Sequence, residues 1–232
     1  MFERRSLLAQ LVRRDFERRF VGSAAGWVWG LIHPLVLLAC WTFVFNRSLG
    51  LRVPPAQATD NYTLFLYCGM LPWLLFQETV QRSSTAMVEN ASLITKTVFP
   101  SEFIPVAIFC SSLVNHALSL LLAVVAAAIW GNGLPMGPWW LPVFLVPLAL
   151  ISIGAGWLVA SFNVYLRDTA QVTAVVLSLG MWLTPIFVTT GEAKGILKKA
   201  LLLNPLSPVV EAYRAVLLNG VVPAWGPVGV LA

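Results

Sequence analysis

Residues 103–130 read FIPVAIFCSSLVNHALSLLLAVVAAAIW. A helix needs about 20 predominantly apolar residues to cross the hydrocarbon core of a bilayer, and this run exceeds that. Its apolar residues do not alternate, so a strand of a membrane barrel does not fit. Working outward, residues 27–46, 62–81, 141–165 and 170–190 behave the same way, each rich in Leu, Val, Ala, Phe and Trp. The fold class expected is all-α, a polytopic integral membrane helix bundle with five complete spans. Composition agrees. Of 232 residues, 58% are hydrophobic and 11% charged, whereas soluble domains carry about 25% charge. A water-soluble fold of this size could not cover its surface with so few polar groups.

Residues 1–22 are of another kind. Leu8, Leu11, Val12, Phe16 and Phe20 share one side at helical spacing, with Gln10, Arg14 and Glu17 opposite. This is an amphipathic helix suited to the membrane surface, although Arg19 falls near the apolar stripe and must snorkel. Arg4, Arg5, Arg13, Arg14, Arg18 and Arg19 concentrate ahead of the first span, which marks the N-terminus as cytoplasmic. The 82–102 link and Arg167 then fall on the cytoplasmic side. Lys194, Lys198, Lys199 and Arg214 fall outside, against the charge rule. The net charge of +5 is no sign of nucleic acid, because the cations do not line a polar, aromatic-interleaved stripe. Cys40, Cys68 and Cys110 lie in apolar stretches at no metal or redox spacing and read as small buried hydrophobes.

The links differ in character. Residues 47–61 are a polar loop with Pro54 and Pro55, and 131–138 read GNGLPMGP, a tight turn. Arg167-Asp168 separates the fourth and fifth spans with almost no linker. This is a structural turn in which Asp168 suits the start of one helix and Arg167 the end of the other. Residues 195–222 are broken by Asn204-Pro205 and Pro208, and short helices dipping into the outer leaflet fit them, provided protein shelters the broken backbone. From Val228 to Ala232 an apolar run begins, the start of a sixth span that the chain does not complete. The division expected is therefore an interface helix, 1–22, and a transmembrane domain, 23–232.

No Gly-Lys-Ser/Thr triplet occurs, so ATP-driven work would need the ATPase of another subunit. Glu78, Asn115, His116 and His33 are candidate functional polar residues within spans. They are isolated, without clustered carboxylates or metal-ligand spacing, so no catalytic residue and no metal site are expected. A membrane-embedded glycan-modifying enzyme using Glu78 and His116 is the weaker alternative. His116 and Asn115 suit hydrogen bonds between helices. Trp139 and Trp140 fit an aromatic belt at the outer interface, while Trp27, Trp29, Trp41, Phe43, Trp73 and Trp182 fall within or near spans. Aromatic faces stack on the C–H surfaces of sugar rings, so such residues could line a glycan path.

Arg13-Arg14-Asp15-Phe16, Gly26-Trp27-Val28-Trp29 with Pro34, and Gly69-Met70-Leu71-Pro72-Trp73 together resemble ABC-2 type polysaccharide-export permeases. The most specific match is Asn90-Ala91-Ser92-Leu93-Ile94-Thr95-Lys96-Thr97-Val98-Phe99-Pro100, followed by Pro105. Val164-Tyr165-Leu166-Arg167-Asp168, Thr184-Pro185-Ile186, Asn204-Pro205 and Arg214 continue it in order over nearly the whole chain. The resemblance implies a permease of the bacterial inner membrane that works as a homodimer. It would pair with a nucleotide-binding ATPase subunit that binds the ATP, with no cofactor of its own. The cargo would be a lipid-linked polysaccharide: O-antigen, capsule or teichoic acid. A drug or small-lipid exporter of the same superfamily is the alternative within transport. By position, 88–100 corresponds to the segment that docks into the ATPase, with Asn90, Leu93, Ile94, Lys96, Phe99 and Pro100 as its residues. Arg14 faces either the ATPase or lipid phosphate. Phe43, Trp73 and Trp182 are candidates for the substrate path, and 195–222 for short external gate helices.

Overall fold

The computed structural model describes residues 9–17, 28–48, 53, 59–96, 100–130 and 138–221, and these residues are helices joined by turns, with no strand among them. Residues 9–17 form α1. Then follow α2 (Trp29–Trp41), which runs on as a π-helical stretch over Thr42–Ser48, α3 (Tyr62–Glu89), α4 (Ala91–Lys96), α5 (Phe103–Trp130), α6 (Leu141–Tyr165), α7 (Thr169–Trp182), α8 (Gly195–Leu203) and α9 (Ser207–Leu218). Helices α5 and α6 are each long and apolar enough to cross a bilayer.

Helix α3 is the axis of the bundle and packs against α5, α6, α7 and α9. Asn61 starts it, its side chain accepting the Thr63 N–H at 3.0 Å as an N-cap does. From Tyr62 to Trp73 every residue is buried. A helix buried all round needs no amphipathic stripe, which is why 62–81 reads as a plain apolar run. The outer surface is the reverse of a soluble protein's. Leu121, Ile129, Leu150, Leu158, Phe162 and Leu179 are all exposed, a patch that only a membrane or partner can cover.

Helix α6 approaches α3 closely at Gly156. A Cβ there would lie 2.9 Å from Ser83 Oγ and 3.2 Å from Ser83 Cβ. Small residues at such contacts let membrane helices pack by van der Waals contact. Gly156→Val should therefore separate α3 from α6 and destabilise the fold by about 1–3 kcal/mol, the range for overpacking. Thermal unfolding in detergent, followed by loss of the monodisperse peak, checks this. An unchanged midpoint would show that the helices are not held at this distance.

The structure departs from the sequence reading in two places. The link expected at 82–102 begins later, because α3 continues through the polar residues 82–89. The span expected at 170–190 ends at Trp182. Pro185 cannot donate to a helix and disfavours helical backbone at Thr184 before it. The segment 195–222 is indeed two short helices, α8 and α9, meeting at 88° around Asn204-Pro205. Trp139 and Trp140 sit in a short 3-10 turn before α6, Trp139 almost fully exposed. Residues 1–8, 18–22 and the run Val228–Ala232 lie outside the described residues.

Candidate functional site

Helix α1 is tied to the bundle by ion pairs and hydrogen bonds. Both carboxylate oxygens of Asp15 accept from Arg82 Nη2 at 2.7 Å. Arg82 lies in the polar last third of α3, one helical turn after Glu78, whose Oε1 is 3.6 Å from Arg82 Nη1. Helix α5 contributes two serines. Ser111 Oγ donates to Asp15 Oδ2, and Ser112 Oγ donates to Glu78 Oε1 at 2.8 Å. Arg82 Nη1 also donates to Ser111 at 3.2 Å and Ser112 at 3.4 Å. One guanidinium thus faces two carboxylates and two hydroxyls drawn from α1, α3 and α5. The Asp15 and Arg82 side chains are 24% and 28% exposed, so the pair is less screened than a surface bridge and less desolvated than a fully buried one.

A second contact lies beside it. Arg14 Nη2 donates to Asn90 Oδ1 at 2.8 Å, and Asn90 Nδ2 donates to Ala86 O at 2.9 Å. The Asn90 side chain thus closes the end of α3, while its carbonyl opens α4 by accepting the Ile94 N–H at 3.1 Å. Ile94 packs, half-buried, against Ala86, Ile104 and Ile108. A cavity of about 260 Å³ lies between α1, α3 and α5, lined by Leu11, Arg14, Asp15, Glu89, Asn90 and Ile104 among others. Two residues assigned on sequence to one coupling set, Arg14 and Asn90, therefore meet. Pro100 opens the turn into α5, its carbonyl accepting the Phe103 N–H at 3.2 Å. The side chains of Leu93 and Lys96, and the whole of Phe99, lie outside the described residues.

At the opposite end of α3 sits a buried cation. Arg214, on α9, is 1% exposed. Its Nε donates to Phe65 O at 3.1 Å, its Nη1 to Pro185 O at 2.5 Å, and its Nη2 to Ile186 O. The guanidinium carbon also stands 3.8 Å from the centroid of the Phe65 ring, a cation–π distance. Gly69 makes room, since a Cβ there would run into the guanidinium. Glu211, one turn earlier on α9, accepts from Thr190 N at 3.0 Å and from its hydroxyl. Asn204 Nδ2 donates to Leu183 O at 2.8 Å and to Thr184 Oγ1 at 2.9 Å. The backbone freed where α7 ends is therefore bonded by side chains from α9 and from the α8–α9 corner. This is the shelter that irregular backbone at membrane depth requires. Arg214 does not act as a surface charge, which removes one member of the basic group that opposed the expected orientation.

The remaining sequence candidates are scattered. Phe43, in the π-helical stretch, is 67% exposed, and Trp182 is 62% exposed and stacked on Phe187 at 4.8 Å. Trp73 is 2% exposed, its Nε1 donating to Gln77 Oε1 at 2.9 Å. His116 does link helices, its Nε2 lying 3.1 Å from Tyr213 Oη on α9. Asp168 occupies the position before α7, but its side chain makes no capping hydrogen bond. Its backbone there is already helical, so the carboxylate does not turn back to the orphan N–H groups as it would from an extended cap. Asp15 and Arg82 do not stand out in the sequence as a pair. The signals were an acid directly following two arginines of the N-terminal cluster, and Glu78 and Arg82 four apart on a helix.

A family model described as ABC-2 type transporter matches residues 6–218. The O-antigen export system permease protein RfbA of Myxococcus xanthus is 26% identical over 238 residues, covering 100% of this chain and 88% of that protein. Two proteins of the same name from Klebsiella pneumoniae are 26% identical over 220 residues and 24% identical over 215 residues. The matches take in 93% and 92% of this chain, and 81% of each relative.

Proposed function

The chain belongs to the ABC-2 type transporter family, and on that premise we propose that it is the transmembrane permease subunit of an ATP-driven exporter of lipid-linked polysaccharide. It sits in the bacterial inner membrane as a homodimer and pairs with a separate nucleotide-binding subunit that binds and hydrolyses ATP. The names of relatives matched over most of their length support the cargo class. The observation that carries the mechanism is the Arg14–Asn90 hydrogen bond beside the Asp15–Arg82 pair. It joins the interface helix to the α3–α4 corner, so a push on either moves both, and α3 carries the motion along the axis of the bundle. Residues 88–100 form the dock for the ATPase. The α8–α9 pair gates the far side, and Phe43 and Trp182 stack sugars along a path between protomers. Two protomers are needed because helices within one bundle pack about 8–10 Å apart, too close for a glycan.

The test is export in a strain lacking its own O-antigen export permease. The native chain, supplied with its ATPase partner, should restore surface glycan. Leu93→Glu should insert normally, keep basal ATP hydrolysis and lose export, because it places a charge in an apolar dock. Normal export by Leu93→Glu would remove 88–100 from the dock. Failure of the native pair to move any glycan, with drug efflux in its place, would favour a small-molecule exporter.

A further inference from the structure

With Arg214 held inside the protein, three cations remain in the stretch expected outside: Lys194, Lys198 and Lys199. All three are exposed, and none is in a salt bridge among the described residues. Arg13, Arg14, Arg82 and Arg214 are each held by a partner. Of the two acids between α7 and the end of α9, Glu211 is taken by Thr190 and Glu192 alone is exposed. This stretch therefore turns an excess of positive charge outward. The charge bias of membrane proteins runs the other way, so these lysines call for a reason of their own.

Helix α8 sets two of them among exposed apolar side chains. Leu201 is 1% exposed and packs inward, whereas Ile196 is 87% and Leu203 84% exposed. Ile196, Lys199 and Leu203 follow at spacings of three and four and share one stripe, with Lys198 and the exposed Leu202 beside it. The 88° corner turns α8 almost perpendicular to α9, which packs on α3, so α8 is free to lie along the membrane surface. Apolar side chains interleaved with lysines are the pattern of a helix seated in that interface. The apolar groups enter the acyl boundary, and the lysine stems follow them and bring their ammonium groups to the level of the phosphates. A protein partner fits less well, because lysine is depleted from the cores of protein interfaces and Lys199 stands in the middle of this stripe.

We propose that the exposed face of α8 binds the anionic phospholipid headgroups of the leaflet it borders, with Lys198 and Lys199 on the phosphates and Ile196 and Leu203 in the acyl boundary. This goes beyond the export reading and does not depend on the cargo.

Hydrogen–deuterium exchange of the full-length chain in nanodiscs, read by mass spectrometry on the 195–203 peptide, tests it. The amides of α8 exchange when the helix opens away from the surface. Two lysines held at an anionic surface predict exchange roughly tenfold slower in phosphatidylglycerol than in phosphatidylcholine. Salt at about 1 M, where the screening length falls to about 3 Å, should remove the difference in the native chain. Lys198→Gln with Lys199→Gln should remove it at low salt, while Lys198→Arg with Lys199→Arg should keep it. Ile196→Asn should speed exchange in both lipids. The 207–218 peptide, expected to exchange alike in every variant, reports that the fold is kept. Equal exchange of native α8 in the two lipids overturns the proposal. So does a difference that survives the glutamine pair, which would assign the anionic lipid to other cations of the chain. Export plays no part in the readout, so its loss or survival bears on the export reading alone.

Discussion

Arg214→Leu should leave almost no folded permease. The substitution removes hydrogen bonds to the carbonyls of Phe65, Pro185 and Ile186, in a place water does not reach. The Phe65 carbonyl keeps its place inside α3, but those of Pro185 and Ile186 are left unpaired at about 1–3 kcal/mol each, and loss of the cation–π contact with Phe65 adds about 0.5–2 kcal/mol. The sum is roughly 3–8 kcal/mol, a large share of the 5–15 kcal/mol that holds a typical domain folded. Arg214→Lys should recover only part of this, because one ammonium cannot match the planar fork that reaches several carbonyls together. Gel filtration of detergent-solubilised protein gives the measurement. A monodisperse peak of native height for Arg214→Leu would mean that the backbone after α7 finds its partners elsewhere.

The second large effect is at the joint between α1 and the bundle. Arg82→Asp places its carboxylate beside Asp15 and Glu78, and should eliminate export while leaving α3, α5 and α6 folded. Asp15→Arg alone should do the same, by setting two guanidinium groups against each other. The double variant, Asp15→Arg with Arg82→Asp, restores opposite charges across the same gap and should recover a measurable fraction of export. The pair is part-exposed, so its coupling energy falls between the values for surface and buried pairs, about 2 kcal/mol. A double-mutant cycle on thermal stability, run beside the export assay, separates the two roles. Additive losses with no rescue would show that the contact does not transmit force.

The apolar length of α5 and α6 made them legible from composition, since each runs past the thickness of a bilayer without an ionised side chain. The break near Asn204-Pro205 was legible too, because proline limits backbone wherever it occurs. The end of α7 was not. Residues 183–190 are as apolar as the helix before them, and only Pro185 spoke against continuation. The Asp15–Arg82 pair was hidden because its members lie 67 positions apart, beyond any local pattern. Arg214 was misleading for a related reason. Counting charges treats every arginine as solvated, while this one is wrapped by backbone from α3 and from the segment after α7. Of the coupling set, sequence order placed Arg14 and Asn90 in separate segments, and only the fold makes them partners.

Helix α7 is 14 residues long, which at 1.5 Å per residue reaches about 21 Å. The hydrocarbon it stands in is about 30 Å thick. Its start is pinned at the water boundary by the exposed Arg167 and Asp168, so the shortfall of roughly 9 Å collects at its other end. There the sheltered backbone after Trp182 continues the crossing, and the exposed Lys198 and Lys199 of α8 should draw the bilayer thinner around it. Activity should then depend on acyl-chain length, fastest in thin membranes and slowest in thick ones, through a hydrophobic mismatch set by a single short helix.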